Sequence, residues 1–291
     1  MGDILGIGMT HFPGFVHDDK EMSMRVKQVT TSGRVPDELK NPANWPASMR
    51  AEWGDDEGES FAHKHRALFR EGMRHIRAAI DDFKPDAVII FGDDQYELFK
   101  EDLVPPYCTF ILDEFELRPF QHHRAGVPQP NVWGEPHEKV FTYRGNANAA
   151  RYLTRSALEH GFDMSYSYVL RDKNAGMGHA FTNTLIYLDY ERSGWQHPVI
   201  PVAINAYGSS LIRNQGLLKH LFENNDAEAD PPGPAPWRLF DLGALLARKL
   251  RESPWRTVFV GSSSWSHAFL TEKNHYVYPD VESDRVRFAA L

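Results

Sequence analysis

Apolar residues in this protein switch between two periods, and the switches mark out alternating strands and helices. Residues 4–9 are a short apolar run broken by Gly6 and Gly8, which predicts a buried first strand stopping before the Pro13-Gly14 turn. Between Ser60 and Phe83 the positions Phe61, Leu68, Phe69, Met73, Ile76, Ala79, Ile80 and Phe83 recur at helical spacing, and Lys84-Pro85-Asp86 closes the helix. Residues 87–91 are apolar without interruption and predict a central parallel strand. Further strands are predicted over 107–112, 164–170, 198–204 and 257–260. Helices are predicted over 147–159, 179–189 and 239–250, with another beginning near Glu282.

The connections differ in kind. Residues 33–58 carry Pro36, Pro42 and Pro46 together with Trp45 and Trp53, which reads as an ordered surface excursion. Residues 113–145, with Pro119, Pro128, Pro130 and Pro136, read as mostly loop, and 224–236 as a loop or insertion. Strands alternating with helices predict an α/β fold: one domain over 1–291, with a mainly parallel mixed sheet and helices on both faces.

Composition narrows the partners. A net charge of −8 without a basic block argues against nucleic acid or an anionic membrane as the main partner. No apolar run approaches the 18 or so residues of a membrane span, and the first residues lack the pattern of a secretory leader. Position 6 is Gly where a myristoylation signal needs Ser or Thr, so a cytoplasmic setting is expected. The single cysteine, Cys108, excludes an internal disulfide, and its strand-like flanks predict a buried thiol.

The 14 histidines are the compositional oddity. Ligands of open α/β sheets bind beyond the carboxyl ends of strands. Those ends carry His11, then Asp93-Asp94-Gln95, then Gly178-His179 at the start of a helix, then Ser266-His267. A single histidine is commonly a satisfied core or rim residue. Three at strand ends or the turns beyond them predict a metal or acid–base site. His122, His123 and His137 in the 113–145 loop read as exposed loop histidines. No Gly-x-Ser-x-Gly elbow supports a serine triad, and no GxGxxG or P-loop supports a nucleotide.

The anchors Gly8-Met9-Thr10-His11-Phe12-Pro13, Pro85 to Gln95, Gly178-His179, Ser266-His267 and Val281-Glu282-Ser283-Asp284 stand in an order and spacing that resembles the class III extradiol ring-cleavage dioxygenases. The resemblance covers most of the sequence, with insertions at 17–60 and 209–236. It implies Fe(II), with Zn or Mn as alternatives, held by two histidines and a carboxylate beside a small aromatic diol and O2. His11 falls at the first ligand position and Glu282 at the carboxylate. His179 falls at the position of the active-site base, and His267 at a second histidine lining the substrate.

The second ligand histidine is replaced by Gln95, a neutral and less basic donor. Three accounts stay open: Gln95 is a weak ligand, His63 or His65 replaces it, or the site holds another metal or none. Asp93 and Asp94 read as turn formers and acceptors behind the ligands. The family usually continues beyond Leu291, which would make this sequence truncated at its C-terminus or leave it without a C-terminal lid; a homodimer is the default assembly. The rival to a dioxygenase is a metal-dependent hydrolase or a non-catalytic binding protein on the same scaffold.

Overall fold

The computed structural model describes residues 1–121, 130–171, 176–205 and 230–290. Among these, eight strands run in sequence order: β1 (Ile4–Met9), β2 (Ala87–Asp93), β3 (Tyr107–Phe110), β4 (Glu114–Leu117), β5 (Phe141–Arg144), β6 (Ser165–Ser167), β7 (Val199–Ile204) and β8 (Thr257–Ser262). The helices are α1 (Met24–Thr30), α2 (Ala47–Trp53), α3 (Glu59–Phe83), α4 (Ala147–Glu159), α5 (His179–Leu188), α6 (Pro236–Glu252) and α7 (Val281–Phe288).

Six strands form one sheet in the order β1-β8-β2-β7-β3-β6. The first four are mutually parallel, β3 lies antiparallel to β7, and β6 is parallel to β3. This is the mixed, mainly parallel α/β sheet that the alternation predicts. β2 lies between two parallel neighbours and is buried along nearly its whole length, which explains its unbroken apolar sequence.

Side chains alternate across β2, so one strand feeds two cores. Val88 and Ile90 pack with Phe69, Met73 and Ile80 of α3 and with Phe181 and Leu185 of α5. Ala87 and Ile89 pack with Leu153 and Ala157 of α4 and with Leu242, Leu245 and Leu246 of α6. Helices therefore cover both faces. Every residue of α5 from Ala180 to Leu188 is buried, so this helix lies inside the fold rather than on it.

Two connections differ from the sequence reading. Within 113–145, β4 and β5 pair as an antiparallel hairpin with Phe115 opposite Tyr143. Each strand is only four residues long and a proline-rich stretch separates them, so no hairpin signal is visible. The 33–58 excursion contains a short helix, α2, and buries Trp45, whose indole Nε1 donates to Leu39 O at 2.7 Å. With Val29, Val35 and Val277 it builds a third, small core. His122 and His123, and most of the 209–236 insertion, fall outside the described residues.

Candidate metal centre

β1, β8 and β2 are neighbours, so their carboxyl ends deliver His11, Ser262 and Asp93 to one place. α5 begins beside them. Gly92 allows this, since a Cβ there would lie 3.1 Å from Ala180 Cβ and 3.1 Å from the Phe181 ring. Two side chains one helical turn apart on α5 hold the segment after β1: Asn183 Nδ2 donates to His11 O at 3.0 Å, and the Tyr187 hydroxyl donates to Phe12 O at 2.7 Å. His11 is thereby fixed from its own backbone, and it is 1% exposed.

The ring of His11 is oriented as firmly as its backbone. Nδ1 lies 2.9 Å from Ser262 Oγ, and the Ser262 hydroxyl directs its own proton to Ala180 O at 3.0 Å. Thr184 Oγ1 lies 2.5 Å from Ser262 Oγ and itself donates to Ala180 O, and this pair of hydroxyls accommodates an imidazole proton on His11 Nδ1. Nε2 then carries a lone pair. It faces Asp93 Oδ1 at 3.3 Å without hydrogen-bond geometry, and is a buried nitrogen with no hydrogen-bond partner. Burial lowers the His11 pKa from 6.5 to about 4, although the Asp93 charge opposes the shift. A neutral imidazole thus turns its lone pair on a carboxylate oxygen, an arrangement that a cation between them would satisfy.

His179 opens α5 and stands against His11, ring centroids 5.0 Å apart and edge to face. Its Nδ1 lies 2.8 Å from Glu97 Oε2. Among the described residues, the ligand atoms of His11, Asp93 and His179 lie within 4.8 Å of one another. Gln95 lies between the latter two: its amide Nε2 donates to Asp93 Oδ2 at 2.9 Å and is 3.5 Å from His179 Nε2. The Asp93 carboxylate can only accept, which sets the amide nitrogen toward it.

His267 follows β8 in the turn after Ser266. Its Nδ1 lies 3.1 Å from Trp265 O, and burial lowers its pKa while the Asp93 charge raises it. Glu282 is placed elsewhere, on the exposed first turn of α7. His63 and His65 are also exposed: His63 Nδ1 lies 3.0 Å from Asp19 Oδ2, and His65 packs edge to face on Phe61. The structure thus brings together His11, Gln95 and His179, with His267 close enough to feel their charges, and leaves Glu282, His63 and His65 apart. Sequence reasoning set Asp93 behind the ligands and overlooked Glu97. The available signal was position: residues 93, 95 and 97 lie at or just beyond the carboxyl end of β2.

His11 and Asp93 at adjoining strand ends of a parallel sheet, with His179 at the start of α5, define a candidate metal centre. No family model matches the sequence. Curated proteins do. The 2,3-dihydroxyphenylpropionate/2,3-dihydroxicinnamic acid 1,2-dioxygenase 2 of Pseudomonas putida is 25% identical over 198 residues, 68% of this chain and 48% of the relative. Its counterpart from a Rhodococcus species is 25% identical over 193 residues, 66% and 47% respectively. That of Klebsiella pneumoniae is 26% identical over 211 residues, 71% and 52%. The resemblance read from the motifs is therefore matched by proteins named as 1,2-dioxygenases, and the chain spans about half the length of these relatives. No described helix is long and apolar enough to cross a membrane.

Proposed function

We propose that this protein holds the catalytic centre of an Fe(II)-dependent extradiol dioxygenase, which opens a dihydroxylated aromatic or heteroaromatic ring beside its diol with O2. The observation that supports the reading most is the lone pair of His11 Nε2 set against Asp93 Oδ1, in a protein similar to dioxygenases of dihydroxylated aromatic acids. His11, Asp93 and His179 would hold the ion, a donor set of two histidines and one carboxylate that suits Fe(II). Held by these residues, such an ion would supply an electronic link between diol and O2 without an organic cofactor.

The remaining groups follow from their hydrogen bonds. Gln95 orients Asp93 through its amide nitrogen and is not a ligand in this reading. The resemblance gives His179 the part of base, but a ring nitrogen within the ligand cluster fits it to the ion instead. The proton acceptor is then His267. Trp265 O can only accept, so Nδ1 of His267 carries the proton and Nε2 the lone pair. Burial holds that ring neutral near pH 7, ready to take a proton from a substrate hydroxyl.

The test is anaerobic reconstitution with Fe(II), followed by oxygen uptake with a panel of catechols. Oxygen consumption with a yellow ring-opened product is the expected result. Iron-loaded protein that stays inert across the panel would overturn the reading and favour a metal hydrolase or a binding protein on the same scaffold.

A further inference from the structure

We infer that Glu97 is the positioning residue that sets the tautomer of His179 and aims its Nε2 into the site. One carboxylate grips one histidine twice. Glu97 Oε1 accepts the backbone N–H of His179 at 3.1 Å, and Oε2 lies 2.8 Å from its ring Nδ1. A carboxylate has no proton to give, so Nδ1 must carry the hydrogen. Nε2, the nitrogen on the side of Gln95 and the ligand cluster, is left with the lone pair. Whether that lone pair meets a metal or a proton, the Glu97 contact is what presents it.

Two further features are built around this contact. The first is Gly178. A Cβ at that position would come 2.9 Å from Glu97 Oε2 and within 3.6 Å of Glu97 Cδ and Cβ, so any larger residue would push the carboxylate off the ring. The second is the turn that carries Glu97. Asp94 is buried and accepts from the backbone N–H groups of Leu98 at 2.7 Å and Phe99 at 3.3 Å, which folds residues 94–99 into a fixed loop. Tyr96 lies in the left-handed region with φ 64°, so the backbone turns just before Glu97. A loop tied down by its own buried acid, next to a glycine that leaves room for its carboxylate, holds Glu97 where it meets His179.

The inference rests on the proposed dioxygenase centre for the part played by metal, but not for the tautomer. The first measurement is therefore made without metal: 15N-histidine NMR of the apo-protein, with the His179 signal assigned by its loss in His179→Ala. Wild type should show His179 protonated at Nδ1. Glu97→Ala should move the proton partly or wholly to Nε2. Gly178→Ala should do the same with Glu97 intact, because it only displaces the carboxylate. Glu97→Gln, whose amide oxygen still accepts, should keep the Nδ1–H form. Circular-dichroism melts identify variants that remain folded.

The second measurement is calorimetric titration of Co(II). Affinity should fall about 10- to 100-fold in Glu97→Ala and Gly178→Ala, with partial recovery in Glu97→Gln. An Nε2–H tautomer in the wild type, or an unchanged tautomer in both folded Glu97→Ala and Gly178→Ala, overturns the inference. A shifted tautomer with unchanged Co(II) affinity upholds Glu97 as the positioning residue and removes His179 from the metal ligands.

Discussion

Asp284 holds Ser266 with both carboxylate oxygens: Oδ1 accepts the backbone N–H at 3.0 Å, and Oδ2 accepts the hydroxyl at 2.7 Å. The Ser266 hydroxyl in turn accepts the backbone N–H of Asp280 at 2.8 Å. α7 buries none of its residues, so these bonds rather than a core fasten it to the turn that bears His267. Asp284→Ala should free that turn and lower turnover on the order of 10- to 100-fold, the cost of misplacing a reacting group. Metal affinity should stay unchanged, because Asp284 touches none of the ligand cluster. Steady-state kinetics beside Co(II) calorimetry separates the two effects, and equal losses in both would refute it.

The assignment of roles within the site predicts a graded set of affinities. Asp93→Ala and His179→Ala each remove a ligand and should weaken Co(II) binding by more than about 100-fold, beyond the usual range for residues behind the ligands. Gln95→Ala removes only a donor to Asp93 and should stay within that range, about 10- to 100-fold. Glu282→Gln and His267→Ala should leave affinity unaltered, while His267→Ala abolishes ring opening. A collapse of affinity in Glu282→Gln would return that carboxylate to the metal.

Burial holds the His11 pKa at about 4, below its ordinary 6.5. Between these values the unfolded protein binds a proton that the folded protein refuses, so its folding stability rises with pH across that window. Apo-protein should therefore lose stability as pH falls from 6.5 toward 4, with no further loss from this group below 4. Urea midpoints measured across the window give the slope, and His11→Gln should flatten it. A wild-type midpoint indifferent to pH there would contradict the buried, neutral ring.

Cys108 lies on β3, 3% exposed, and burial pushes its thiol up to about 12. The thiolate is the reactive form, so the folded protein should resist iodoacetamide at about pH 8 and react only in denaturant. Mass spectrometry after each treatment reads the outcome.

The elements most legible in the sequence were those with the strongest period. α3 and β2 follow from Phe61 to Phe83 and from Ala87 to Phe91, because one buries a stripe and the other both faces. The β4–β5 hairpin was not legible, since pairing across 141 and 117 depends on a partner far along the sequence. The site divides the same way. His11, His179 and His267 stood out as rare residue types at strand ends. Asp93 and Glu97 did not, because acids in a turn are ordinary and their meaning depends on which side of the loop they occupy. Glu282 came from resemblance, and its exposed position follows from an α7 that buries none of its residues.

The strand order carries a consequence for how the protein is made. β1, the second residue of which is Leu5, finds its sheet neighbour in β8, which ends at Ser262. The ribosome releases His11 long before Ser262, and the two are hydrogen bonded across 251 positions of sequence. β1 must wait, unpaired, until the polypeptide through β8 has been synthesised, and long-range closure of this kind is slow. An ion captured between His11 and Asp93 before that moment would meet a ring not yet oriented by Ser262. The centre thus matures only once β8 is in place, and a nascent polypeptide stalled before β8 holds His11 and Asp93 without the strand that lies between theirs.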